Sequence, residues 1–450
     1  MNIANRLPLG GPMIRLTMTT GRMTARPRRR VGGDRPAATP AGAAADDGQR
    51  TTDNRPRGFT LVELLVVIVV LAILMALLLP AINGAMKTAR NAAVSAEINQ
   101  MAQALADFKA KYGDYPPSRF LAVENGNYST YLYDTTALHG GGTLTDPYSP
   151  GVGDIQLGQL AQRSVAALRR FFPRMSTTGL PSGVWYDFNG NGGTGADSPY
   201  ILHGHECLVL FLGGVPYLDP ATGAYGLTGF GKDPTNPFTN SIAIDSVNYH
   251  GNPNAMYNAN RQPPFFQFNP GRLYLDPNNN SGIPGYYDTL NNGPPLNSPT
   301  GPLNFYAYFS AYGNGNYDPN DVNFPAEADA NGNQQVELEF YVPFPTSTSK
   351  TVASGALSAS PNPYSTTTTR PTNGTVSYWN AQTFQIISSG ADGLYGVGGQ
   401  YIQQTQSATQ PLPYDPNNTY YGSGPTSESD ASLRQREYDN LTNFKSSTLN

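Results

Sequence analysis

Four histidines and one cysteine occur in 450 residues, and three of these five side chains fall within His203-Gly204-His205-Glu206-Cys207. On a strand, His203 and His205 share a face, as zinc would need. On a helix they diverge, and a third ligand would come from His139 or His250. The competing reading gives both histidines a structural role. Oxygen ligands recur in Asp187-Phe188-Asn189-Gly190-Asn191-Gly192-Gly193 and in Asp329-Ala330-Asn331-Gly332-Asn333. Both copy the opening of a calcium loop, a cation that takes about six to eight oxygens. The closing position, where a bidentate Glu belongs, holds Ser198 in the first and Phe340 in the second, with Glu337 and Glu339 near the latter. The same residue types make tight turns without any ion. No Gly-rich phosphate loop lies between a strand and a helix, and no G-x-S-x-G elbow occurs, so no catalytic residue is assigned and no enzyme is expected. Lone Cys207 has no internal disulfide partner, so the fold relies on its core.

A carboxylate in an unusual setting carries more. From Phe59 to Leu79 there are 21 residues, and only Thr60 and Glu63 are not apolar. At about 1.5 Å per residue the run makes a helix about 31 Å long, the hydrocarbon thickness of a bilayer. A carboxylate in such a helix costs about 2.5–3.5 kcal/mol, so it normally has a partner.

The residues Arg57-Gly58-Phe59-Thr60-Leu61-Val62-Glu63 resemble the processing site of type IV prepilins and type II secretion pseudopilins. The resemblance implies cleavage between Gly58 and Phe59 by a prepilin peptidase that also N-methylates the new terminus. Glu63 then becomes the fifth mature residue and serves assembly. Cutting frees an α-amine on Phe59, mostly charged with a pKa of about 8. In a filament, the Glu63 carboxylate of one subunit neutralises the Phe59 amine of its neighbour, a buried pair suited to setting register. Implied partners are the peptidase, further copies and other pseudopilins, an inner-membrane platform protein, an assembly ATPase and membrane lipid.

The elements that position these residues follow in order. Residues 1–58 hold eleven Arg, no Lys and four Asp, a net charge of +7. Their Gly, Ala, Pro and Thr content shows no sustained apolar period and reads as a disordered leader, removed on cleavage. It is longer than the family's usual leader, and Met13, Met18 and Met23 are alternative starts. Basic residues beside a membrane helix stay cytoplasmic, which puts the remainder outside a single-pass inner membrane anchor. The chain's −4, less the leader's +7, leaves 392 mature residues at −11, which argues against nucleic acid as a partner.

One helix is expected over 59–112, membrane-spanning over 59–79, with a kink at Pro80. Its second half is Ala-rich and carries Ile98, Met101, Leu105, Phe108 and Tyr112 as one apolar stripe that docks the body. Glu97, Gln100, Gln103, Asp107 and Lys111 fill its other faces, and Gly113 with Pro116-Pro117 stops it.

The fold class is α+β: this long helix packed on a β-rich body, 113–450, with extra helices and long loops. A second helix is expected from Asp154 through Phe172, and a third from Ser198-Pro199 to Gly213-Gly214, with a buried strand over 207–212 as its alternative. Strands are expected within 303–312, 336–342, 376–379 and 384–388. A Ser/Thr/Pro loop covers 346–375, and a polar tail 400–432. Two body segments extend the resemblance: Asp233-Pro234-Thr235-Asn236-Pro237-Phe238 is similar to a pseudopilin loop, one residue shorter, and Phe384 to Gly393 to their last strand and SxGADG turn. The resemblance implies calcium beside that turn, with Asp392 as one ligand. The stretch Asp329, Asn331 and Asn333 is the other calcium candidate. The function expected is that of a structural subunit of a secretion pseudopilus or related filament. The alternative is a tethered binding or enzymatic ectodomain that borrows the signal for export.

Overall fold

The computed structural model describes residues 60–134, 157–191, 199–218, 225–239, 260–275, 281–288, 305–312, 315, 317–318, 321–322, 338–339, 359–366, 377–393, 395–396, 398–402 and 435–449. The chain divides into two units, Met1–Ile68 and Val69–Asn450. The class is α+β, as expected.

Helix α1 runs Leu61–Tyr112, with Pro80 inside it. Each large apolar side chain from Leu61 to Leu79 is 47–79% exposed, so no packing among the described residues accounts for this composition. Further on, burial becomes one-sided: Val94, Ile98, Met101, Ala104, Leu105 and Phe108 are buried, the spacing of a single helix face. Tyr112 is half-buried, its ring 6.0 Å from that of Phe171. The helix ends where the Gly113 N–H donates back to the Lys109 carbonyl, with Lys109 and Lys111 in the last turn facing its negative dipole end.

Beyond α1 come β1 (Phe120–Ala122), helix α2 (Leu157–Phe171), β2 (Tyr200–Leu202) and helix α3 (Gly204–Gly213). Hairpin strands β3 (Pro216–Leu218) and β4 (Tyr225–Leu227) follow, then β5 (Leu273–Tyr274), β6 (Gly285–Tyr286) and β7 (Ala307–Ser310). The remainder are β8 (Leu338–Glu339), β9 (Ala359–Ser360), β10 (Asn362–Ser365), β11 (Phe384–Ser388), β12 (Gly398–Gln400) and β13 (Leu441–Thr442).

Helix α2 ends one residue before the expected limit, and its proposed cap Asp154 lies outside the described residues. The third helix starts later than expected. Tyr200–Leu202 is a strand antiparallel to β1, pairing Phe120 with Leu202 and Ala122 with Tyr200. His203 then takes an extended backbone, and its N–H donates to the Glu206 carboxylate at 2.8 Å. Glu206 at the third helical position sets the start at Gly204. Gly204 itself lies so close to β7 that a Cβ would sit 2.0 Å from the Tyr308 carbonyl oxygen. Helix, not strand, therefore covers 207–212.

The central sheet has the order β13-β11-β7, antiparallel throughout. Strand β11 occupies the expected residues but is not the last: β12 and β13 follow it, and β13 pairs alongside. The expected strand over 376–379 is a correction. Residues 377–380 make one isolated bridge, Ser365 with Tyr378, and then turn at Asn380, which has φ 54°.

The sheet separates two cores by the period of the pleat. Tyr306, Tyr308, Phe384 and Ile386 join the core that contains the α1 stripe, α2 and α3. Phe305, Ala307, Phe309 and Ile387 join a second one with Tyr364, Tyr395 and Tyr401. In the first core, Phe108 meets Phe171 edge-on at 5.0 Å, Phe265 at 5.2 Å and Phe211 at 6.0 Å.

Candidate functional site

At the start of α1, Thr60 and Glu63 cap each other. The Glu63 carboxylate accepts from the Thr60 N–H and from the Thr60 hydroxyl, both at 2.9 Å, and the Glu63 N–H donates to the Thr60 hydroxyl at 3.2 Å. This reciprocal pair satisfies two of the donors a helix start leaves open. Gly58 and Phe59 lie outside the described residues, and Pro80 is exposed on α1.

A site not foreseen in the sequence holds the second half of α1 to the body. Glu97 is not a solvent-facing filler: it accepts a bidentate pair from Arg272, at 2.6 and 2.8 Å. Tyr286 and Tyr306 hydroxyls donate to the same carboxylate at 2.9 and 2.6 Å. The Arg272 guanidinium also donates to the Tyr287 carbonyl and lies 4.2 Å from the Tyr286 ring centroid. Burial pulls the Arg272 pKa down, but the Glu97 hydrogen bonds and charge outweigh it and the net direction is up. Glu97 is adjacent to Ile98 of the stripe, while its partners lie 175 to 209 residues away, so no local pattern could reveal the pairing.

The SxGADG turn is held from the C-terminal segment. Ser388 donates to Asp288 at 2.5 Å, and the Ala391 and Asp392 N–H groups donate to Asp439 Oδ2 at 2.8 and 3.2 Å. Gly390 has φ 73°, and a Cβ there would lie 2.5 Å from the Asp439 carbonyl oxygen. Burial raises the Asp439 pKa, opposed by the two amides and by Lys87 of α1. The turn thus spends its amides on a carboxylate of the same chain. Asp392 is exposed, and its backbone rather than its side chain makes that contact. Among the described residues, no group of three His, Cys, Asp or Glu could hold a metal ion. Asp329, Asn331 and Asn333 lie outside the described residues. In the other loop, Asn189 Oδ1 accepts from the Asn191 N–H at 3.2 Å, a tight turn.

Asp233 Oδ1 accepts from the Thr235 N–H and hydroxyl, and Asn236 donates to the Trp185 carbonyl at 2.9 Å. That loop seats Phe238 in the core, 4.3 Å from Phe188. The histidine cluster is interior. The His203 and His205 rings are parallel at 6.5 Å, and His205 stacks on Phe305 at 5.0 Å. Burial, then His203, holds the His205 pKa well below the usual range, and burial pushes the Cys207 thiol up. His139 and His250 lie outside the described residues.

A family model described as the prokaryotic N-terminal methylation motif matches residues 53–79. Comparison with curated proteins and with solved structures gives no match. The motif is consistent with a prepilin-like protein, processed by a prepilin peptidase. Together with the exposed apolar half of α1 it fits a single-pass membrane-anchored chain.

Proposed function

We propose that this chain is a prepilin-like structural subunit, cut between Gly58 and Phe59, methylated on Phe59 and assembled into a type II secretion pseudopilus or related filament. One observation carries the reading: the methylation motif coincides with the start of a bilayer-length helix whose apolar side chains find no cover among the described residues. A helix with bilayer-length apolar exposure needs lipid or other copies of itself around it. The body lies outside the inner membrane, and the platform protein and assembly ATPase act on the cytoplasmic side. The second reading, a tethered ectodomain, draws on the Thr60–Glu63 pair, because the carboxylate is satisfied within its own chain.

Glu63→Gln separates them. In a host with the peptidase and assembly machinery, wild type should appear in surface filaments with N-methylated Phe59 at its terminus. The variant should be cut normally, since an amide costs less in lipid than a carboxylate. It should be several-fold under-represented in filaments when co-expressed with wild type, because the neighbouring amine meets no counter-charge. Equal incorporation of the two would remove the pairing. Processed wild type that stays monomeric in the membrane would favour the tether.

A further inference from the structure

The body hides its acids. Among the described residues, six carboxylates are buried (Glu124, Asp187, Glu206, Asp288, Asp321 and Glu437) against one buried guanidinium, Arg119. Hydroxyls supply much of the donation: Tyr200 to Glu124, Ser281 to Glu206, Ser388 to Asp288 and Tyr364 to Glu437. A hydroxyl stabilises a carboxylate less than a cation does, and ionised carboxylates that share an interior repel.

Asp321 is the most constrained of them. It is fully buried, and one oxygen, Oδ2, accepts from both the Ser118 hydroxyl at 2.5 Å and the Tyr312 hydroxyl at 2.7 Å. The other oxygen, Oδ1, is buried with no hydrogen-bond partner among the described residues, so a charge there finds no donor to stabilise it. Ser118 belongs to the connection between α1 and β1, and its Oγ also accepts from the Ser310 N–H of β7 at 2.8 Å. In the same connection, the Pro116 carbonyl accepts from Tyr308 of β7 at 2.7 Å. Asp321 thus closes a joint between the segment that leaves α1 and the central sheet.

The charged and titratable groups that face it come from four directions. Asp318 lies on its own segment and repels it. Arg163 of α2 attracts it, yet is engaged with Asp318 at 3.5 Å and stands over the Tyr312 ring at 4.3 Å. Tyr312 donates from the end of β7, and Cys207 of α3 is held protonated by burial and by the charges of Glu206 and Asp321.

We propose that this joint is acid-stabilised: the buried site between the α1–β1 connection and β7 holds Asp321 best as the neutral acid, and its ionisation destabilises the body there. The idea does not rest on the filament reading. Burial first, then Asp318, pushes the Asp321 pKa up to about 7 from 3.8. The folded state therefore binds this proton more tightly than the unfolded chain. Its contribution is complete below about pH 4 and is lost as the pH rises through about 7. Between pH 5 and pH 8 the folded-to-unfolded ratio should fall about a hundred-fold from this one group.

The test uses the full mature chain in detergent micelles, with thermal unfolding and amide exchange of residues 118–122 and 307–312 followed from pH 5 to pH 8. Wild type should lose stability, and protection at those amides, as the pH rises. Asp321→Asn, permanently uncharged, should flatten the profile by about that hundred-fold and be the more stable protein at pH 8. Parallel profiles for the two proteins would overturn the proposal. If Asp321→Asn does not fold, Asp318→Asn decides. Removing the repelling carboxylate and freeing Arg163 should move the midpoint of the pH transition to lower pH. An unmoved midpoint would overturn the proposal equally.

Discussion

The two halves of α1 solve opposite problems with one secondary structure. Over 64–79 the helix is apolar on every side and exposed on every side. Over 94–108 it is apolar on one side only, and that side is buried. The difference lies in what surrounds each half. The second is dissolved in its own protein: a stripe one helix face wide matches a core, and the remaining faces stay polar. The first has no such partner among the described residues, and lipid or other copies would supply its surroundings. Changes in the first half should therefore alter processing, insertion and assembly, while changes in the second should alter the body's stability.

The largest break in this contrast is expected at the proposed cleavage site, Gly58–Phe59. A peptidase that cuts beside Gly58 must bring its catalytic groups against an extended backbone, and a side chain there obstructs the approach. Gly58→Leu should abolish processing, leaving full-length precursor in the membrane on an immunoblot, with the body's unfolding temperature unchanged. Mature protein beginning at Phe59 at the normal rate would show that cleavage falls elsewhere.

An intermediate effect is expected where the second half meets the body. Arg272→Met keeps the apolar reach of the side chain but leaves Glu97, whose side chain is 16% exposed, with two tyrosine donors and no cation. Stranding a mostly buried carboxylate should cost about 3 kcal/mol, read from urea unfolding of the mature chain by tryptophan fluorescence. Cleavage at Gly58 should proceed as in wild type. A loss below about 0.5 kcal/mol would make the Glu97–Arg272 pair an incidental contact, the usual worth of exposed pairs.

The two halves of α1 also mark where sequence reading succeeds and where it stops. The apolar half of α1, the stripe from Ile98 to Phe108 and the bounds of β11 were legible because each is a local pattern of composition or period. The pairing of Glu97 was not, because its partners come from β6, the residue before β7 and the turn before β5. Likewise Asp439 reaches the SxGADG turn from 47 residues away. The start of α3 lies later than expected because Tyr200 to Leu202 are too few to show a period, and only pairing with β1 makes them a strand. Strands of two residues, such as β13, are too short to carry a period at all.

The smallest effect separates the two halves most finely. Thr60→Val keeps the shape of the side chain and removes the hydroxyl that both donates to the Glu63 carboxylate and accepts from its N–H. The backbone half of the cap, from the Thr60 N–H to Glu63, remains. Loss of a capping hydroxyl is worth about 1 kcal/mol. That loss acts only on the first turn, where opening is local and does not involve the core. Amides of residues 61–64 should therefore exchange about five-fold faster in micelles, by nuclear magnetic resonance of the mature chain. Amides of residues 98–108, buried in the body, should exchange as in wild type. Faster exchange in both stretches would mean that the start of α1 and the docked stripe open together, and the division of the helix into two independent halves would fail. No change in either stretch would mean that the Thr60 hydroxyl is replaced by water at no cost, and that Glu63 is oriented by its backbone bond alone.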